Sequence, residues 1–234
     1  MIDTAIILVG GLGSRLKSVV RDVPKPMADI NGKPFLFYLI HYLKNQGIKL
    51  IILSVGYKSE IIINYFGYEI AGVKLIYSIE ETPLGTGGAI LRALKLVKKD
   101  VVYVFNGDTL FTINLQLMAS THYKKNAKIT FALKEMKNVD RYGKVIIDDN
   151  DKIIGFQEKG YFKNGMINGG IYIITKKYLQ NYLLPNKFSF EQFIESKIEE
   201  LTIFSYCSNS YFIDIGIPQD YSKARKYVAQ MTFN

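Results

Sequence analysis

Two aspartates each close an apolar run: Asp108 follows VVYVFNG, and Asp214 sits in SYFIDIG. Magnesium takes one or two protein carboxylates and fills its shell with water and phosphate oxygens. Two aspartates far apart in sequence, both at strand ends, meet that need if the strands converge. Taken singly, Asp108 reads equally well as a helix cap. The first apolar run is followed by Gly10-Gly11-Leu12-Gly13-Ser14-Arg15. Glycines after a strand let the backbone turn tightly and bring its N–H groups to a phosphate. Arg15 adds a planar cation able to grip phosphate bidentately. Pro24-Lys25-Pro26-Met27 follows. A proline holds the residue before it extended, so Val23 and Lys25 are expected in that conformation, with Lys25 on a stiff stalk. Two cations so placed suit a triphosphate. Each loop also has a purely structural reading, as a turn and as a rigid surface segment.

A third cluster is Glu80-Glu81-Thr82-Pro83-Leu84-Gly85-Thr86-Gly87-Gly88. Its glycines would let a flat base approach the backbone. An ionised carboxylate only accepts hydrogen bonds, so Glu80 or Glu81 could meet the N1–H and exocyclic amine that guanine offers together. The plainer reading is a solvated acidic turn ahead of a helix.

The elements that must carry these residues alternate in type. Residues 4–9, 49–55, 73–79 and 101–105 are short apolar runs of the buried parallel-strand kind. Between them, residues 34–46, 59–66 and 87–98 have helical spacing. The pattern predicts a doubly wound, Rossmann-like α/β sheet flanked by helices. From residue 111 the character changes. Residues 129–134, 143–148, 152–157 and 167–174 read as strands, some antiparallel, and 189–200 and 218–230 as helices. No linker or repeat separates the halves. The expectation is one domain over 1–234, about 1–110 binding nucleotide and about 111–234 binding the second substrate, on one continuous sheet. Ligands of open α/β sheets bind at the carboxyl ends of strands. Residues 10–15, 106–108 and 214–216 all stand at such ends.

The chain has 234 residues, 48% hydrophobic and 22% charged, enough for a sizeable core. Its net charge of +9 favours polyanionic partners: nucleic acid, an anionic membrane or phosphorylated small molecules. Only Arg15, Arg21, Arg92, Arg141 and Arg225 supply guanidinium among 30 cations. Duplex readers lean on arginine for base contacts, which argues against sequence-specific DNA binding. One cysteine, Cys207, makes neither an internal disulfide nor a zinc site and fits a reducing compartment. No apolar run reaches eighteen residues, and the start carries no basic leader, so a cytoplasmic protein without a membrane partner is expected. His41 and His122 fall in helical segments and read as structural.

In order, GGLGSRL, PKPM, EETPLGTGGA, FNGD, RYGKV, FQEK, INGGIY and DIGIP resemble the motifs of the sugar-phosphate nucleotidyltransferase family. They run from residue 10 to 218. The resemblance is strongest to guanylyltransferases acting on D-glycero-D-manno-heptose 1-phosphate, with mannose-1-phosphate guanylyltransferases next. It implies that a nucleoside monophosphate, GMP from GTP, passes to a sugar 1-phosphate with release of pyrophosphate. The product is a nucleotide sugar of the kind used for surface polysaccharides. It further implies that Gly10, Gly11, Gly13 and Arg15 wrap the nucleotide phosphates and that Lys25 meets the phosphate under attack. Glu80, Glu81, Gly85, Thr86 and Gly87 meet the base, Gly107 lines the nucleotide, and Asp108 and Asp214 hold Mg²⁺. Gly143, Glu158, Asn168 and Gly170 lie at the sugar, and Lys159 at its phosphate. Two positions depart from the family pattern: Gly160 stands where proline is common and Ile217 where threonine is. Larger members carry an extra carboxy-terminal domain, for which this chain, ending at Asn234, has no room.

Three readings from other classes remain. A silent nucleotide-sugar sensor would keep the fold without turnover, although Arg15, Lys25, Asp108 and Asp214 are all present. A nicotinamide oxidoreductase is suggested by the glycine turn, but Leu16 replaces the fingerprint's third glycine. A nucleic-acid module rests on charge alone. Uridine, thymidine and cytidine triphosphates, other sugars and a homo-oligomer stay open.

Overall fold

The structure, a computed structural model, describes residues 1–11 and 23–231. The apolar runs become strands and the amphipathic runs helices. β1 spans Thr4–Leu8. A 3-10 turn over Lys25–Met27 leads into a small hairpin of β2 (Asp29–Ile30) and β3 (Lys33–Pro34). Then come α1 (Phe35–Asn45), β4 (Leu50–Val55), α2 (Ser59–Phe66), β5 (Glu69–Ile70), β6 (Val73–Ile79), α3 (Gly85–Leu94) and β7 (Val101–Asn106). The second half runs β8 (Thr109–Phe111), α4 (Leu115–Lys124), β9 (Ile129–Val139), β10 (Lys144–Ile147), β11 (Ile153–Gln157) and β12 (Phe162–Thr175). It closes with α5 (Lys176–Gln180), α6 (Phe190–Ser196), β13 (Ile203–Ser208), β14 (Phe212–Asp214) and α7 (Pro218–Tyr227).

One ten-stranded mixed sheet draws on both halves. β1 lies between β7 and β4, parallel to both, and β6 continues the parallel set. The second half joins through β12, antiparallel to β7. Alternate residues feed opposite faces, as a strand's period of two requires. Ile7, Ile51 and Leu53 enter the core shared with α1, α2 and α7. Their neighbours Ile6 and Ile52 enter a second core with α3 and α6. Burial on both faces is why these strands read as unbroken apolar runs.

β12 organises the site. One of its edges is lined by β9 nearly throughout. The other edge changes partner: Met166 and Ile167 pair with β10, while Ile171 to Thr175 pair with β7. The register against β9 shifts between Asn168 and Tyr172, where the two neighbours diverge. A fork therefore opens at Asn168-Gly169-Gly170, beside the carboxyl end of β7.

Two sequence expectations are corrected. Lys25 is not extended. It opens the 3-10 turn, held by Met27 N–H to the Pro24 carbonyl at 2.8 Å and Ala28 N–H to the Lys25 carbonyl at 2.9 Å. Asp214 does not end a strand of the main sheet. It closes a separate two-stranded ribbon with β8. Cys207 lies in β13 and is exposed. Among the described residues, no helix is long and apolar enough to cross a membrane.

Candidate active site

A cavity of about 410 Å³ opens at the carboxyl ends of β1 and β7, where an α/β sheet offers a crevice. Its walls include Val9, Gly10 and Gly11 after β1, Lys25 and Pro26 of the 3-10 turn, Glu80, the start of α3 from Leu84 to Thr86, Asn106 at the end of β7 and Asp108 beyond it. The first turn is tied down by Gly107 N–H to the Leu8 carbonyl at 2.9 Å and Val9 N–H to the Ser54 carbonyl at 2.9 Å. Gly13 and Arg15 lie outside the described residues.

The two metal-binding aspartates expected from the sequence come together. The β8–β14 ribbon sets Asp214 opposite Thr109, and Ile215 N–H donates to the Asp108 carbonyl at 3.0 Å. Burial raises the Asp214 carboxyl above the ordinary range, and the neighbouring Asp108 charge raises it further. A carboxylate raised by burial and by a neighbouring acid is eased by a nearby cation, and Lys25 and Arg141 both act on Asp214 in that sense. Gly216 N–H donates to Asp214 Oδ1 at 2.6 Å, and the Tyr142 hydroxyl donates to Oδ2 at 3.4 Å. Among the described residues no cluster of three or more His, Cys, Asp or Glu could hold a metal. A magnesium ion here would rely on these two carboxylates, with substrate phosphates and water completing its shell. Lys25 Nζ donates to Asp108 Oδ2 at 2.7 Å, with only 11% of the lysine side chain exposed. The Lys25 charge therefore already sits on one of the two acids.

On the base side, the structure separates the two glutamates. Glu80 lines the cavity, its Oε1 accepting from the Ser54 hydroxyl at 3.0 Å and its Oε2 from Leu84 N–H at 3.3 Å. An ionised carboxylate has about four acceptor sites, so capacity remains for a ligand. Glu81 is exposed and outside the cavity lining.

The glycines of this segment also admit a close approach from within the protein. A Cβ on Gly87 would come within 2.1 Å of the Phe188 ring, and one on Gly88 within 2.1 Å of the Asn186 carbonyl oxygen. Gly85, at φ +70°, would meet the Phe188 carbonyl at 2.5 Å. It is a loop of the second half that presses on the start of α3 where close approach of a base was expected. Gly87 N–H donates to the Phe188 carbonyl at 3.0 Å, and Phe188 N–H to the Leu84 carbonyl at 3.1 Å.

On the far side, Asn168 and Gly170 occupy the fork in β12. Asn168 Oδ1 accepts from Gly170 N–H at 2.9 Å, and its Nδ2 donates to the Tyr172 hydroxyl at 2.7 Å. Gly170 holds φ at +71°, and a Cβ there would meet Asn106 of β7 within 2.9 Å. Gly143 precedes β10, where a Cβ would come within 2.9 Å of the Gln157 carbonyl. Glu158 and Lys159 follow β11 on an exposed turn. They are not part of the cavity wall.

Sequence reasoning missed Tyr142 and Glu191. Tyr142 lay inside the quoted RYGKV motif, whose aromatic went unused. Burial, with the nearby Asp214 charge, pushes its hydroxyl up to about 12, so it stays protonated and can donate. Arg141 reinforces this corner, donating to the Tyr142 hydroxyl at 2.7 Å and pairing with Asp220 of α7 at 2.8 Å. Glu191 had no local signal, because its distant partners Thr86 and Tyr172 lie in two other elements, α3 and β12. His122, read as structural, is buried between the hydroxyls of Thr130 and Thr175 at 2.8 and 3.0 Å, away from the cavity.

The sequence profile of the nucleotidyl transferase family matches residues 4–231, and the chain belongs to that family. It is 52% identical over 217 residues to the D-glycero-alpha-D-manno-heptose 1-phosphate guanylyltransferase of Campylobacter jejuni, covering 93% of this chain and 96% of the relative. It is equally identical over 223 residues to the enzyme of that name from Aneurinibacillus thermoaerophilus, covering 95% and 96%. Among solved structures, HddC from Yersinia pseudotuberculosis superposes with a TM-score of 0.88 at 40% identity, covering 96% of this chain and 99% of HddC. The same protein complexed with GMP-PN superposes at 0.86. A putative thymidylyltransferase from Bacillus anthracis, 21% identical with a TM-score of 0.85, shares the fold.

Proposed function

We propose that this protein transfers GMP from GTP to D-glycero-α-D-manno-heptose 1-phosphate, releasing pyrophosphate. The observation that carries the reaction class is the gathering of Asp108, Asp214 and Lys25 beside one cavity. The choice of heptose and guanine rests on the 52% identity to guanylyltransferases bearing that name.

The phosphate oxygen of the sugar attacks the α-phosphorus of GTP. An O–P bond forms, the bond from that phosphorus to the β-phosphate breaks, and pyrophosphate carries the electron pair away. The attacking oxygen is already an anion, so no side-chain base is needed. The obstacle is bringing two anions together: two unit charges about 4 Å apart repel by roughly 4 kcal/mol at an effective dielectric near 20. Lys25, positioned by its turn, offsets charge at the α-phosphate, and Arg15 does so from the glycine loop with Gly10, Gly11 and Gly13. Magnesium, held by Asp108 and Asp214, would supply the remaining charge compensation at the phosphates. Gly107 shapes the floor under the nucleotide. Glu80 accepts from the base, with Gly85, Thr86 and Gly87 fixing the turn beside it, and Glu81 at the rim. Asn168, Gly170, Gly143 and Glu158 serve the sugar, and Lys159 its phosphate. The two halves, about 1–110 and 111–234, thus bind one substrate each within a single domain. GTP as substrate and a single cysteine support a cytoplasmic reaction, with a surface polysaccharide as the product's use.

The test is pyrophosphate release with Mg²⁺, crossing GTP, UTP, dTTP and CTP with heptose, mannose and glucose 1-phosphates. GTP with the heptose phosphate should give the highest kcat/KM. A higher value for another pair would replace the substrate assignment, and no release with any pair would leave the silent sensor. Asp108→Asn should lose most turnover with the fold intact.

A further inference from the structure

Glu191, the first-turn acid of α6, bonds both Thr86 of the cavity wall and Tyr172 beside the fork in β12. Its Oε2 accepts from the Thr86 hydroxyl at 2.8 Å and from the Ser189 hydroxyl at 3.0 Å. Thr86 is locked in turn, because its hydroxyl oxygen accepts from Phe190 N–H at 2.8 Å. The other carboxylate oxygen accepts from the Tyr172 hydroxyl at 3.3 Å. Tyr172 accepts from Asn168 Nδ2, and Asn168 Oδ1 holds Gly170 N–H. An unbroken line of hydrogen bonds thus runs from the wall of the nucleotide cavity to the fork in β12.

Tyr172 is the buried centre of the line. Tyr172 is 1% exposed, its ring packed edge-on against Phe131 and Phe190. Burial holds its hydroxyl well above the ordinary range, so it remains a donor. Such a chain in a low-dielectric interior leaves few alternative arrangements, because each broken bond strands a buried polar group.

We infer that Glu191 is a positioning residue that couples the Thr86 turn to the Asn168–Gly170 corner, so that the two substrates are held in register. It rests on the substrate sides assigned above, and touches neither substrate itself. Glu191 fixes the cavity wall directly and the fork only through Tyr172. Removing Tyr172's hydroxyl should therefore disturb one side, and removing Glu191 both.

The experiment compares Glu191→Ala, Glu191→Gln, Tyr172→Phe and the Glu191→Ala/Tyr172→Phe double variant in the full chain. GTP is titrated calorimetrically without sugar, and KM for the heptose 1-phosphate is measured at saturating GTP. Each lost bond should cost about tenfold in the affinity it supports. Tyr172→Phe should raise the sugar KM about tenfold and leave GTP affinity within about twofold. Glu191→Ala should weaken both by about tenfold, and Glu191→Gln, which keeps an acceptor for Thr86, should restore GTP affinity. The double variant should show the sugar KM of Glu191→Ala alone, because both changes cut one line. A multiplied loss of about a hundredfold in the double variant would overturn the coupling. So would a Tyr172→Phe enzyme with an unchanged sugar KM. A wild-type protein that binds GTP but turns over no sugar phosphate would sink the substrate assignment; GTP affinity unchanged in Glu191→Ala would then overturn the positioning role separately.

Discussion

His122 offers a quantitative test of the interior away from the cavity. It is 2% exposed on α4, with both ring nitrogens committed to the hydroxyls of Thr130 and Thr175. Burial disfavours the imidazolium and lowers its pKa from 6.5 to about 4. Above pH 6.5 both folded and unfolded chains hold a neutral ring, and its contribution to stability is fully present. As the pH falls from 6.5 towards 4, the unfolded chain binds a proton that the folded chain refuses, and stability is lost. Linkage sets the size: at pH 5 the loss is about 2 kcal/mol, levelling near about 3 kcal/mol below pH 4. His122→Gln removes the titration but keeps a polar group between the threonines. Unfolding in urea, followed by circular dichroism at pH 7 and pH 5, gives the stability of each protein. Carboxylates titrate in both, so the readout is the difference of differences. The wild type should lose about 2 kcal/mol more than the variant between those two pH values. Parallel losses would mean that His122 is solvated or charged in the fold, and the reasoning would fail.

Other expectations concern the cavity. Asp214→Asn should abolish most turnover yet raise the melting temperature without metal, because it removes a charge that burial and Asp108 oppose while keeping an acceptor for Gly216 N–H. As the pH drops through the raised carboxyl range, the wild type should recover that deficit, and a variant melting below the wild type at neutral pH would refute it. Gly88→Ala places a Cβ within 2.1 Å of the Asn186 carbonyl and should cost about 1–3 kcal/mol of stability, with weaker GTP binding by calorimetry. An unchanged urea midpoint would show that the 186–188 loop does not bear on α3. Lys25→Ala should lower kcat on the order of 10²-fold, the scale of one lost preorganised donor; a twofold loss would remove Lys25 from the chemistry.

The parallel core was legible because strands buried on both faces leave unbroken apolar runs, and the helix at Ser59–Phe66 appeared with the expected limits. Elements whose partners are remote were not legible. β9 runs on through Lys134 to Val139, where polar side chains alternate outward and mask the strand. β13, IFSYCS, carries too many hydroxyls to signal its parallel pairing with β9. The short β8–β14 ribbon is below the length at which periodicity speaks. At the site, the residue types and strand-end positions of Asp108 and Asp214 were readable, but the ribbon that joins them was not. The glycines at 85, 87 and 88 announced a close approach; only the fold shows that the visitor is Phe188 and its neighbours. Lys25 defied its pre-proline preference because two turn hydrogen bonds outweigh it.

The change of partner along β12 bears on how such enzymes can be recombined. The segment before Asn168 takes its geometry from β10 of the second half, and that after Gly170 from β7 of the first, so the place where the neighbour changes lies within a strand and not in a loop. A chimera intended to exchange acceptor preference would therefore have to be spliced at this tripeptide. A join in the neighbouring loops that slipped the strand's register by one residue would turn every side chain of β12 to the opposite face.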